Sequence, residues 1–143
     1  RAVGVETPTC LDVSMGAVRT AFAAIELGAA EYLNNTPGRV GANLEAQRIH
    51  DAGRAAGGAV WCGGMVETVI GRPANAALAT LPGFTLVGDI SAASRFYRRD
   101  IVTEPITMYD GVVDVPTGPG LGFDLDLDHL DSVTTSITRL TVD

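Results

Sequence analysis

Four short apolar runs recur along the first two-thirds of the chain: Pro8–Asp12 (PTCLD), Glu31–Asn35 (EYLNN), Ala59–Cys62 (AVWC) and Phe84–Val87 (FTLV). Their starts, at 8, 31, 59 and 84, lie 23 to 28 residues apart, the length of one strand plus a crossover helix. Right-handed crossovers would set such strands side by side and parallel, with Thr9–Leu11, Tyr32–Asn34, Val60–Cys62 and Thr85–Val87 as their cores. Four β/α units cannot close a barrel, because closure takes about eight strands. The expected architecture is an open four-stranded α/β sheet or half a barrel.

The segments between the runs have helical periodicity. Val18, Ala21, Phe22 and Ile25 fall at i, i+3, i+4 and i+7, which predicts a helix over 15–27 with Ser14 as its cap and Gly28 as its stop. A second helix is expected over 42–56. Its buried stripe would be Ala42, Ala46, Ile49 and Ala56, with Glu45, Arg48 and Asp51 outward. A third begins at Pro73, which suits a first helical turn and no deeper position.

After Gly88 the rhythm breaks. One or two helical turns are expected over 91–97. Ile106–Tyr109 and Val112–Val115 flank Asp110-Gly111, a two-residue hairpin signal. Thr117–Gly122 reads as loop, 127–133 as a short helix and 137–142 as a last strand. This division gives a β/α part over 1–97 and a strand-rich tail over 98–143.

Composition excludes several functions. The net charge of −7 argues against a nucleic-acid partner, which needs surplus positive charge. No apolar run approaches the ~20 residues of a membrane-spanning helix. All 10 basic residues are arginine, so a lysine base, a Schiff base and a P-loop lysine are all absent. Cys10 and Cys62 read as reduced core thiols, and no pair of cysteines or histidines has zinc spacing. His50 and His129 read as solvated, and the acidic run DLDLDHLD as a solvated face without the glycine and terminal glutamate of a calcium loop. Trp61 and Met65 read as core and rim. GRVGAN lacks the glycine spacing of a dinucleotide loop. The chain opens at Arg1 without Met and without a signal-like segment, so a fragment or processed product of cytoplasmic origin is expected.

Several stretches together carry a resemblance. They are Asn34–Gly41 (NNTPGRVG), Val60–Arg72 (VWCGGMVETVIGR), Gly88–Ser91 (GDIS), Arg95-Phe96-Tyr97, Glu104-Pro105 and Pro116–Gly122 (PTGPGLG). In this order and spacing, from about Thr7 to Val133, the chain resembles the enolase superfamily. Within it, the likeness is to the o-succinylbenzoate synthase / N-acylamino acid racemase group, one of the relatives of mandelate racemase and muconate lactonizing enzyme. The resemblance implies the C-terminal half of a (β/α)7β barrel, with a tail that returns to a capping domain. It implies abstraction of a proton α to a carboxylate, with Mg²⁺ or Mn²⁺ stabilising the enediolate and two lysines as acid and base.

Carried over residue by residue, Asp12 matches a metal ligand, and Val13 follows it where the family has Glu. Thr36 stands at the position of a catalytic lysine. Arg39, Gly63, Gly64, Met65, Asp89 and Ser91 match substrate-contacting positions, with Glu67 a polar neighbour. Other roles stay open for the same residues. Asp12 could cap a helix or accept loop amides, Thr36 could shape a loop before Pro37, and Arg39 could pair with a nearby carboxylate. Gly63-Gly64 could be an ordinary loop whose amides hold a carboxylate.

Two functions follow from different classes. One is the C-terminal part of a metal-dependent lyase or racemase acting on a small carboxylate substrate. It would be inactive and at most a weak metal binder alone, and would associate as a homo-oligomer, two half barrels face to face, or with a complementary half-barrel chain. The other is a non-catalytic, oligomerising α/β module.

Overall fold

The computed structural model describes residue 4 and residues 6–141. Three of the four apolar runs form one parallel sheet: β1 (Cys10–Leu11), β2 (Tyr32–Asn35) and β3 (Ala59–Cys62), ordered β1-β2-β3. The register pairs Leu11 with Leu33 and Leu33 with Val60. These three side chains and Cys62 point to the helix side. There they meet Ala21 and Ala24 of α1 (Val18–Glu26), Ala46 and Ile49 of α3 (Asn43–Ala55) and Leu78 of α4 (Arg72–Ala79). Strand alternation puts Cys10, Tyr32, Asn34 and Trp61 on the opposite face. No helix covers that face among the described residues. The Trp61 indole N–H donates to Cys10 Sγ there at 3.3 Å.

The fourth run departs from expectation. Phe84 bridges Val60 and Asp89 bridges Gly63, both parallel, yet the segment between them forms no strand. Three residues of advance along β3 are matched by five here. The two extra residues buckle outward, and Val87 is 93% exposed. Four parallel strands are therefore three strands and two isolated bridges.

Local corrections have similar causes. Helix α1 starts at Val18 and Ser14 does not cap it. Glu45 of α3 takes that role, its Oε1 accepting the Val18 N–H at 2.7 Å, so Glu45 is not simply outward. That amide, with Arg48 beside it, holds the Glu45 carboxyl below its ordinary range. Gly28 ends the helix at φ +55°, as expected. Phe22 is exposed, because the stripe facing the sheet runs through Ala21 and Ala24 instead. Cys62 is buried but Cys10 is exposed, since it lies on the uncovered face. His50 is 2% exposed rather than solvated, because α3 turns it towards the Gly83 turn.

Pro37–Val40 forms a one-turn helix, α2, directly after β2. Beyond a 3₁₀ turn at Ala93–Arg95, β4 (Met108–Tyr109) and β5 (Val112–Val113) make the expected hairpin, with Asp110 at φ +49° and Gly111 at +78°. The α5 helix (Leu127–Val133) follows. Its N-cap is Asp126, which accepts the His129 N–H at 3.0 Å and pairs with Arg99, so the acidic run is not only a solvated face. The part of 137–142 that is described forms no strand. The tail builds a second small core of Val102 and Ile106 against Val69, and Asp100, buried, accepts the Val69 N–H.

Candidate functional site

The C-terminal ends of parallel strands gather loops and backbone N–H groups, which is where open α/β sheets bind ligands. Here those ends carry Asp12, Asn34, Thr36 and Gly63. Asn34 is the centre of the group. Its Nδ2 donates to Asp12 Oδ1 at 2.8 Å, and its Oδ1 accepts the Thr36 hydroxyl at 3.3 Å. Thr36 is 2% exposed. The same Asp12 oxygen pairs with the Arg39 guanidinium. Arg39 also donates from Nε to Met15 O at 3.3 Å and from Nη2 to Asn34 O at 2.9 Å. Asp12 stays 52% exposed and Arg39 19%.

Two glycines make this packing possible. A Cβ on Gly63 would lie 2.3 Å from Asn34 Oδ1 and 2.6 Å from Thr36 Oγ1. A Cβ on Gly64 would lie 2.3 Å from the Asp89 carbonyl oxygen. The next turn is closed by Glu67, whose carboxylate accepts the Met65 N–H at 2.8 Å and the Asn75 amide at 3.1 Å. Met65 itself is exposed at the rim. Asp89 is exposed and bridges Gly63, while Ser91 is buried and offers its carbonyl to Arg72.

Thus Asp12, Thr36, Arg39 and Gly63 meet at one point. Gly64, Met65, Asp89 and Ser91 form an adjoining loop pair. Asn34 and Arg72 were not singled out in the sequence. Asn34 could have been, because it sits on the same strand face as Tyr32 and two residues before Thr36.

A family model described as "Enolase C-terminal domain-like" matches residues 1–129. The chain belongs to that family. It is 55% identical over 132 residues to an N-succinylamino acid racemase of Amycolatopsis sp., covering 92% of this chain and 36% of that protein. It is 43% identical over 129 residues to an o-succinylbenzoate synthase of Geobacillus stearothermophilus, covering 90% and 34%. A solved enolase-superfamily structure from Listeria innocua superposes with a TM-score of 0.87 at 38% identity, over 92% of this chain and 36% of that one. The chain therefore spans about a third of the length of the curated relatives it matches. Its fold is the α/β, parallel-stranded fold of the enolase C-terminal domain.

Family membership suggests a divalent cation. Such an ion wants several hard carboxylate oxygens. Among the described residues no three His, Cys, Asp or Glu side chains come together. Asp12 is also already neutralised by Arg39, whose positive charge opposes a cation at the same oxygen. The described residues do not by themselves make a site for the ion.

Proposed function

We propose that this chain is the C-terminal third of a protein of the o-succinylbenzoate synthase / N-succinylamino acid racemase type. In this reading Asp12, Arg39, Gly63, Gly64, Met65, Asp89 and Ser91 line one side of a site for a small carboxylate, and residues 98–143 return to a capping domain. The remaining barrel strands and the other metal ligands would come from a complementary segment or partner chain. That partner would cover the Cys10–Trp61 face and the free edge of β1, both of which are costly to leave in water. The helices supply no candidate membrane span: none among the described residues is long and apolar enough to cross one.

The observation that carries the reading is the pairing of the single matching carboxylate, Asp12, with Arg39 at the ends of β1 and β2. It supports the reading by setting the one carboxylate that matches a metal ligand at the strand ends, but against a guanidinium. Abstraction of a proton α to a carboxylate needs a base and a group that holds the developing negative charge. The chain has no lysine, and the lysine position holds buried Thr36, whose hydroxyl is not basic. A missing acid/base group typically costs 10²–10⁴-fold. The isolated chain should therefore run near the uncatalysed rate.

The experiment is α-deuterium exchange of an N-succinylamino acid in D₂O with Mg²⁺ or Mn²⁺. No exchange above buffer is expected from the chain alone. Exchange that Asp12→Asn abolishes would overturn the reading.

The hydrogen bond from Thr36 to Asn34 favours a second reading, a non-catalytic α/β module that associates through its open sheet face. Sedimentation distinguishes the two. A self-complementary dimer of this chain supports the module, and a monomer that captures an added N-terminal two-thirds of a relative supports the first.

A further inference from the structure

A guanidinium cannot shed its charge, so burying one without a counter-ion is costly unless its N–H groups find acceptors. Arg72, at the start of α4, is 1% exposed. Among the described residues it makes no ion pair. Its Nη1 donates to Ser91 O at 2.8 Å and its Nη2 to Glu67 O at 2.6 Å, while Nε has no partner. Its Cζ lies 5.1 Å from the centre of the Phe96 ring.

The two carbonyls belong to different loops. Glu67 closes the turn after Gly63-Gly64-Met65, and Ser91 ends the segment after the Asp89 bridge. These loops touch each other elsewhere only tightly. Asp89 N–H donates to Cys62 O at 2.9 Å, and the Asp89 carbonyl leaves no room for a Cβ at Gly64. One rigid fork therefore reaches both loops at once, from behind, with an aromatic face beneath it.

We propose that Arg72 is a positioning residue that sets the spacing of the two candidate substrate-contacting loops, Gly63–Glu67 and Asp89–Ser91. The proposal rests on the reading above only in calling these loops substrate contacts. The clamp itself acts whether or not the chain is catalytic. The fork matters as much as the charge. A lysine ammonium is a compact point donor on a flexible stem and cannot hold two carbonyls of separate loops in a fixed plane. Phe96 completes the device by replacing water over the guanidinium.

The test is amide hydrogen exchange on the full chain, together with the Arg72 side-chain Nε–H resonance. In the unmodified protein that Nε–H should exchange far more slowly than that of exposed Arg98. Equal rates would overturn the proposal without any mutant. Arg72→Met and Arg72→Lys should each lower protection at Asp89 and Gly63 about tenfold to a hundredfold, the loss expected for charge-assisted hydrogen bonds. Protection at Leu33 and Ile49 should hold. Phe96→Leu should lower the same two amides by less. Arg72→Lys matching the unmodified chain would mean that charge alone suffices, and would overturn the fork. A uniform loss at all four amides in Arg72→Lys would reduce Arg72 to an ordinary core residue and also overturn it. Activity enters none of these readouts, so failure of the clamp and failure of the functional reading are distinguishable.

Discussion

His50 Nε2 accepts the backbone N–H of Gly83 at 3.0 Å, joining α3 to the turn that follows α4. The acceptor role fixes the neutral ring with its proton on Nδ1, which faces Asp51 Oδ1 at 2.9 Å. The ring also lies 4.8 Å from that of Phe84, the residue that bridges β3. The start of the buckled fourth segment is thus attached through one histidine and one phenylalanine, and its far end through Asp89. A Cβ on Gly83 would stand 2.3 Å from His50 Nε2. Gly83→Ala should destabilise the chain by ~1–3 kcal/mol, the usual cost of overpacking a closed site. Urea unfolding monitored by Trp61 fluorescence measures it. An unchanged midpoint would mean that the turn is free to move.

The two thiols should differ sharply. Burial, with the negative charge of Glu67 adding to it, pushes the Cys62 thiol from an ordinary 9.0 up to about 12. Cys10 is exposed. The thiolate is the reactive form, so a thiol reagent at pH 8 should modify one cysteine per native chain and two after denaturation. The sign of the linked stability follows from proton counting. Between pH 9 and about 12 the folded chain keeps a proton that the unfolded chain has lost. Stability should therefore fall as pH rises through that window, with no contribution from this group below it. Cys62→Ala should flatten the slope. Equal slopes in both proteins would show that another group dominates.

What could be read in the sequence was what repeats locally. β1, β2, β3, α1, α3 and α4 follow from period and spacing, and the hairpin follows from Asp110-Gly111. The fourth strand failed because the two extra residues between Phe84 and Asp89 change no apolar pattern. They become visible only against β3. His50 failed for another reason. It neighbours Ile49 on a helix with a clear stripe, but its partner Gly83 lies 33 positions away, and nothing local announces the bond. Asp12 and Arg39 were singled out separately through the family resemblance. A charge pair was one open role for Arg39, but only the fold, across 27 positions, joins it to Asp12.

Gly63 and Gly64 should tolerate a methyl group differently. At Gly63 the obstacles are the side-chain ends of Asn34 and Thr36, which can rotate away at the expense of their hydrogen bond. At Gly64 the obstacle is the Asp89 backbone carbonyl, which moves only with its whole segment. Gly64→Ala should therefore be the more damaging, by about 1–2 kcal/mol. It should also expose Asp89 N–H to exchange, whereas Gly63→Ala should leave that amide protected. The reverse ranking would place the rigid contact at Asn34 instead.

Asp12 and Arg39 should contribute unequally to stability although they form one ion pair. Asp12 is half exposed, so its charge is screened, and Asp12→Asn keeps an oxygen that can still accept from Asn34 Nδ2. Its loss should cost less than about 1 kcal/mol and shrink further at high salt. Arg39 is mostly buried and also satisfies the carbonyls of Met15 and Asn34. Arg39→Met strips all three acceptors, leaving carbonyls at the β1–α1 loop and at β2 without their donor. That should cost about 1–3 kcal/mol and change little with salt, because the loss is of hydrogen bonds and not of a screened charge. Combining the two changes should cost less than their sum, since Asp12 has no ion-pair partner to lose once Arg39 is gone and keeps only its bond from Asn34 Nδ2. Chemical denaturation of the four proteins at low and high salt gives all the terms. Strict additivity would show that the pair does not couple β1 to β2. A large salt-dependent cost of Asp12→Asn would show that its carboxylate carries more of the junction than its exposure allows.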